Sequence, residues 1–197
     1  MIDVAGIGEL RWLGDAGSAA VDGGGLSLMA PPRSDWFNDP MGPDRHASAP
    51  ALVFAPDGDV QLSACVTVDF AATFDAGVLF VHLDGERYAK LCFEYSPDRE
   101  PMVVSVVTRE VSDDANGPVV RGERCWLRIS RMGAAFAFHH SNDGMHWALT
   151  RLFSLGSAGA EASIGFMAQS PTGDGCRVEF TDIGFAPTTL TDARDGS

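Results

Sequence analysis

Residues Val60 to Phe70 alternate without a break. Val60, Leu62, Ala64, Val66, Val68 and Phe70 fall on one side, and Gln61, Ser63, Cys65, Thr67 and Asp69 fall on the other. A period of two marks an extended strand with one face on a core. The signal repeats along the chain. Asp75–Arg109 reads as three consecutive antiparallel strands, with turns at Asp84-Gly85 and at Ser96-Pro97-Asp98. Both faces of these strands are partly apolar: Leu79, Phe80 and Val81 are consecutive, and Val103, Val104, Val106 and Val107 are broken only by Ser105. Strands of that kind lie centrally in a sheet, covered on both sides.

Turn signals punctuate the rest: Gly23–Gly25, Pro56-Asp57-Gly58-Asp59, Met132-Gly133, Ser141–Gly144 and Pro171–Gly173. They recur at roughly the 8–12-residue spacing of sandwiches and bound a dozen or so short strands. No amphipathic helix longer than a turn or two, no repeat and no internal linker interrupts them. The pattern predicts one all-β, antiparallel β-sandwich domain over residues 1–186. Ser34–Gly42 and Ser112–Gly117 read as loops, and residues 187–197 as a polar, flexible tail. Trp126 and Trp147 sit within or beside strand patterns and are expected in the core.

Composition narrows the function. Over 197 residues the formal charge is −13. Nucleic-acid binding is driven by Lys and Arg neutralising phosphates, so an acidic chain without a basic run is not expected to bind it. The same sign disfavours anionic membrane surfaces, and no apolar run reaches the ~20 residues a membrane-spanning helix needs. The start, MIDVAGIGELRW, has neither a basic nor an apolar leader segment, which predicts a cytoplasmic protein. Cys65, Cys92, Cys125 and Cys176 are far apart in sequence. In a reducing compartment they are most simply buried thiols, although an even count leaves disulfides conceivable. No phosphate-binding loop, dinucleotide fingerprint or serine nucleophile elbow occurs, and no cofactor is expected. His139 and His140 are adjacent on a strand, point to opposite faces and cannot easily share a metal ion.

The chemistry concentrates on the middle strand of the meander. Lys90 and Glu94 share its polar face, opposite Leu91, Phe93 and Tyr95. His82, Thr108 and Arg151 can join them from neighbouring strands, and Trp36 can border the same face. Such a groove hydrogen-bonds sugar hydroxyls or holds an anionic group. The alternative is a structural network of cross-strand ion pairs, worth about 0.2–1 kcal/mol each. Glycoside hydrolysis needs two flanking carboxylates, and no E-x-D-x-E run supplies them here, so no catalytic residue is assigned. A lysine close to Glu94 is expected to lower its pKa and to suit it to a base rather than an acid.

Several of these segments occur in a familiar order. Asp75-Ala76-Gly77-Val78-Leu79-Phe80, Tyr88–Tyr95 and Ser105-Val106-Val107-Thr108-Arg109 are followed by Ser141–Trp147, Arg151 and Ser170-Pro171-Thr172-Gly173. Together, over about residues 8–186, they resemble the "regulation of enolase" family, a domain of unknown function with a concanavalin A-like jelly-roll fold. The chain departs where that pattern has S-D-W: it carries Ser112-Asp113-Asp114, without the tryptophan. Its Ser34-Asp35-Trp36-Phe37 matches the early D-F-W only approximately. The resemblance implies the fold, and by analogy a carbohydrate or small metabolite on the concave face of one sheet. The reading is a non-catalytic binding module, with site residues His82, Lys90, Glu94, Thr108, Arg151 and Trp36. Alternatives are a sugar-active enzyme using Glu94, or a protein-interaction factor whose partner is a glycolytic enzyme such as enolase.

Overall fold

The computed structural model describes residues 1–197. The strands are β1 (Ile2–Val4), β2 (Gly8–Leu13), β3 (Ser18–Asp22), β4 (Gly25–Ala30), β5 (Trp36–Asn38), β6 (Arg45–Ala47), β7 (Ala51–Phe54) and β8 (Val60–Val68). They continue with β9 (Ala76–Asp84), β10 (Arg87–Tyr95), β11 (Pro101–Arg109), β12 (Val111–Val119), β13 (Arg124–Met132) and β14 (Ala135–Ser141). The last are β15 (Ala148–Ser154), β16 (Ser163–Gln169) and β17 (Cys176–Ala186), with one short 3-10 turn at Ser157–Glu161.

Two antiparallel sheets pack face to face, giving the all-β sandwich the alternation predicts. One has eight strands in the order β1-β2-β7-β16-β9-β10-β11-β12, and the other has seven in the order β15-β14-β13-β8-β17-β4-β3. The apolar side of β8, from Val60 to Val68, faces Leu79 and Val81 of β9, Leu91 and Phe93 of β10, and Val103 and Val107 of β11 across the core. Burying such a side chain stabilises the fold by about 1.5–3 kcal/mol. The other face of the meander is apolar as well. Val78, Phe80, Tyr88, Cys92, Val104 and Val106 form a second cluster on the outer side of the eight-stranded sheet, closed by Trp36. The centrality predicted for β9–β11 is therefore real, and a chain segment supplies the cover.

That cover revises one loop assignment. Within Ser34–Gly42, Trp36–Asn38 pairs with Arg45–Ala47 as a small hairpin, separate from both sheets. A second revision is at Ser112–Gly117, which is part of an edge strand and not a loop. Its backbone pairs with β11, with Thr108 opposite Ser112 and Val106 opposite Asp114. The Asp, Asn and Gly content hid the strand because β12 is mostly solvent-exposed. Charged side chains on an edge also discourage unwanted pairing.

Trp126 and Trp147 are half-buried rather than core residues. Each carries a guanidinium: Arg124 lies 5.1 Å from the Trp126 ring and Arg128 lies 4.3 Å from that of Trp147. Residues 187–197 fold back onto the seven-stranded sheet. Arg128 Nη2 donates to Gly196 O at 2.6 Å, His139 Nε2 sits 2.9 Å from Ala193 O, and Leu190 is buried. All four cysteines are unpaired and buried.

Candidate functional site

On the outer face of the eight-stranded sheet, side chains line up in rows across the strands. One row runs His82–Tyr88–Thr108–Ser112, the next Phe80–Lys90–Val106–Asp114, and another Ala76–Glu94–Met102. Lys90 and Glu94 thus share the polar face as expected, with Cys92 between them. Alternation alone would leave an ammonium on an open sheet. The structure buries it instead: Lys90 is 2% exposed.

The burial comes from the segment that crosses the sheet. It is anchored at one end by paired backbone hydrogen bonds between Ser34 and Ser170, both 3.2 Å. Ser170 Oγ in turn donates to the buried Asp75 at 2.6 Å. At the other end, Asn38 N donates to Ser112 Oγ at 2.9 Å, and Asn38 Nδ2 donates to Glu110 O at 2.8 Å. Trp36 pins the middle. Its Nε1 donates to Ala49 O at 2.8 Å, and its ring meets Tyr88 and His82 edge-on at 5.2 and 5.3 Å. Asp35 is thereby held over the sheet, where Lys90 Nζ donates to its Oδ1 at 2.8 Å and to Gln169 Oε1 at 3.0 Å.

Beside this ion pair is a pocket of about 150 Å³. Asp35, Lys90, Glu94, Asp114 and Gln169 form its polar lining. Phe37, Phe74 and Pro171 wall it, over a floor of Val104 and Val106. Glu94 is only 8% exposed. Its carboxyl makes no hydrogen bond within the protein and opens to the pocket, whereas the fully enclosed unpaired atoms belong to Arg128, Ser130 and His139.

Burial raises the Glu94 pKa to about 8; Lys90 opposes the shift, and Asp114 and Asp35 add to it. The expectation that the lysine lowers it is therefore corrected. Desolvation outweighs a cation whose charge is already engaged by Asp35. Burial acts downward on Lys90 and is the largest single influence, but Asp35, Cys92 and Glu94 together outweigh it and hold the ammonium above its ordinary value. Partial burial also raises Asp114, against the pull of Lys90. At neutral pH the Glu94 side chain is therefore mainly the neutral acid, beside the Lys90–Asp35 ion pair.

The other expected residues separate from this pair. Thr108 is fully buried and shares a 2.8 Å hydrogen bond with Ser112, beneath the Asn38 anchor. His82 is half-buried against Trp36, and burial lowers its pKa. Trp36 is a buried anchor, not a platform. Arg151 lies between the sheets at their edge, bonded to Ser105 O at 3.3 Å and ion-paired with Asp113 at 2.8 Å. None of these four lines the pocket. Asp35, Gln169 and Asp114 do, and the sequence reading did not single them out. Ser34-Asp35-Trp36-Phe37 and Ser170-Pro171 were its visible traces. Asp114 occupies the position at which the resembled pattern has its tryptophan, and that position faces the pocket.

A larger groove of about 760 Å³ lies at Thr67, Val120, Arg121, Glu123, Arg124 and Asn142. Arg121, Glu123, Arg124 and Asn142 are exposed, so no buried polar group is directed into it.

Fold and pocket together define a single-domain antiparallel β-sandwich with a small polar site under a crossing segment. The chain belongs to the family described as a protein of unknown function (DUF1349), which matches residues 12–188. Among curated proteins, none matches it. Of solved structures, a functionally unknown protein from Saccharomyces cerevisiae is similar with a TM-score of 0.81 and 22% identity, over 90% of this chain and 96% of that one. The GH43 protein BlXynB from Bacillus licheniformis is similar with a TM-score of 0.68 and 13% identity, over 84% of this chain. This chain covers only 33% of that protein's length. The alginate lyase from Klebsiella pneumoniae is similar with a TM-score of 0.55 and 14% identity, over 84% of this chain and 82% of that one. At these identities the likeness shows the fold alone.

Proposed function

We propose that the chain is a non-catalytic binding module that takes a carbohydrate or similar small polyol in the pocket between Lys90 and Glu94. The observation that carries this reading is the Glu94 carboxyl, buried without a protein partner and open to the pocket. A carboxyl that opens to a pocket rather than to a protein donor leaves its hydrogen bonds to whatever fills that pocket, water or a ligand hydroxyl. Lys90 supplies the complementary donor. An ammonium has three N–H bonds, and Asp35 and Gln169 take two of them. A diol fits this pair, one hydroxyl accepting from Lys90 and its neighbour bonding Glu94, while Phe37 and Phe74 flank the apolar faces of a sugar ring. The volume of about 150 Å³ is well below the ~300–1,000 Å³ of drug-sized pockets, which suits one ring rather than a chain.

One observation favours a second reading. A carboxyl with a pKa of about 8 is protonated at neutral pH and has the form of a general acid, with Asp114 on the same pocket wall. A sugar-active enzyme would use Glu94 in that role. A thermal-shift screen of monosaccharides and sugar phosphates tests the first reading. At 100 times Kd a ligand stabilises by about 2.7 kcal/mol, and no shift from any of them overturns it. If a sugar that binds is also converted, and Glu94→Gln stops conversion while keeping binding, the enzyme reading replaces it.

A further inference from the structure

The segment that crosses the eight-stranded sheet rests on an apolar surface built from Val78, Phe80, Tyr88 and Val104. Residues 187–197 cover the other sheet, and the surface beneath them is polar. We propose that Arg128 and His139, on the outer face of the seven-stranded sheet, form a binding site for a carboxylate or phosphate oxyanion, and that the tail occupies this site as a displaceable internal stand-in. The site lies on the opposite sheet from the Lys90–Glu94 pocket and is independent of it.

Leu127 and Ile129 of β13 face the core, so Arg128 and Ser130 point outward. The register sets Arg128 between Ser63 and His139, and Ser130 between Gln61 and Ala137. His139 and Ser130 are fully buried, and Arg128 is 8% exposed. The enclosed side-chain atoms without a partner, Arg128 Nε, Ser130 Oγ and His139 Nδ1, all belong to this one face. Arg128 enters none of the ion pairs of the protein. Burial draws its pKa down to about 10, and no carboxylate opposes the shift. Asp195 is the acid that acts on His139, but its Oδ1 accepts from Ser197 N at 3.0 Å. A buried guanidinium without a counter-ion is costly.

The tail meets this cation with neutral oxygens. Gly196 O accepts from Arg128 Nη2 at 2.6 Å, and Ala193 O accepts from His139 Nε2 at 2.9 Å. The Nε and Nη2 donors of a guanidinium lie parallel along one edge, and a carboxylate or phosphate engages both at once. The Gly196 carbonyl takes one and leaves Nε bare. Arg128 and His139 converge on this point: a Cβ on Gly196 would overlap Arg128 Nη2 and lie 3.2 Å from His139 Cδ2. An oxyanion in place of that carbonyl fills the fork, supplies the missing charge and comes within reach of His139 Nε2. The Trp147 ring, 4.3 Å from the guanidinium, walls the site.

The tail is seated there without being woven into the sheet. Its backbone hydrogen bonds are local: Thr188 N to Ala186 O, Thr191 N and Asp192 N to Ser197 O, and Gly196 N to Asp192 O. Leu190 is its one buried apolar side chain.

The test is NMR titration of the full chain with malonate and with inorganic phosphate at constant ionic strength. It is read on the Arg128 Nε–H signal and the Gly196 amide, with malonamide as the neutral comparison. At least one anion is expected to give saturable shifts in both signals, and malonamide none. Malonate alone identifies a carboxylate ligand, and phosphate alone a phosphate group. Unseating the tail is expected to tighten binding at least about fivefold, because the apparent Kd scales inversely with the fraction of open sites. Gly196→Ala does so by crowding Arg128 at a φ of +77°. Leu190→Ser does so by removing the anchor and leaves the contact itself unaltered. Thermal transitions check that both variants fold. Arg128→Lys keeps the charge but loses the fork, and is expected to weaken binding about tenfold or more, read on the Gly196 amide. The proposal is overturned by the absence of a saturable shift in the wild type and both tail variants, by equal affinity in Arg128→Lys, or by unchanged affinity in both tail variants. Each of these leaves the Lys90–Glu94 reading standing.

Discussion

Glu94→Gln provides the sharpest check on the electrostatics, because its effect depends on pH in a way a packing defect cannot imitate. Glutamine keeps the size and neutrality of the protonated side chain but cannot titrate. In the folded protein Glu94 releases its proton near pH 8, against an ordinary value of 4.5. Between those values the native state holds a proton that the unfolded chain has lost, so wild-type stability falls as pH rises. The slope approaches 1.4 kcal/mol per pH unit, and over the interval from 4.5 to about 8 the loss is on the order of 5 kcal/mol. The variant lacks this term. Its stability relative to wild type is expected to be near zero or slightly negative at about pH 4.5 and to climb by several kcal/mol toward pH 8. Urea unfolding followed by fluorescence of the four tryptophans measures it at each pH. The histidines whose pKa burial lowers, His82, His139 and His140, are common to both proteins and drop out of the difference. A difference that stays flat from pH 5 to 8 would show that Glu94 folds as an ordinary carboxylate, and the argument for a protonated acid in the pocket would fail.

Lys90→Met removes one member of a buried ion pair and is expected to destabilise by about 3 kcal/mol, with the apparent pKa of Glu94 moving higher; urea unfolding and carboxyl NMR titration read the two effects. Gly165→Ala is expected to cost about 1–3 kcal/mol or more, since a Cβ there would lie 1.9 Å from Leu52 O. Gly85→Ala, whose Cβ would meet nothing within 4 Å, should stay within about 0.5 kcal/mol, and thermal melts compare the pair. Arg151→Met breaks the bridge to Ser105 and Asp113 and is expected to cost about 1 kcal/mol. Because Arg151 does not line the pocket, any ligand dissociation constant should be unchanged.

The fold was legible because its evidence is local. Val60–Val68 announces its buried face by alternation, and Leu79–Val81 and Val103–Val107 announce burial on both sides. The edge strand Val111–Val119 was not, because backbone pairing rather than side-chain burial makes it a strand. The site was legible only in its local half. Lys90 and Glu94 share a face by parity alone. Their environment depends on Asp35 and Gln169, which are 55 and 79 residues from Lys90 in sequence. No periodicity encodes such a meeting. Thr108 and Arg151 show the converse: parity and strand order bring them near, but Thr108 is sealed beneath the Asn38 anchor and Arg151 points between the sheets. The sign of the Glu94 shift was missed for the same reason, since desolvation comes from the crossing segment and not from the strand that carries the residue.

The bridge between Ser34 and Ser170 spans 136 positions of sequence. Hairpins such as β9–β10 and β10–β11 close over a few residues and form on the microsecond scale, whereas contacts of high sequence separation incur their loop-closure entropy before any reward arrives. The meander can therefore form with Lys90 still in water, and the docking of residues 34–38 then brings Asp35 to its ammonium. Local opening of that one segment, with the sandwich otherwise intact, re-exposes the ammonium and dismantles the pocket. Hydrogen exchange at Ser34, Asn38 and Ser170 thus reports directly on how often the pocket is formed, independently of how often the protein is folded.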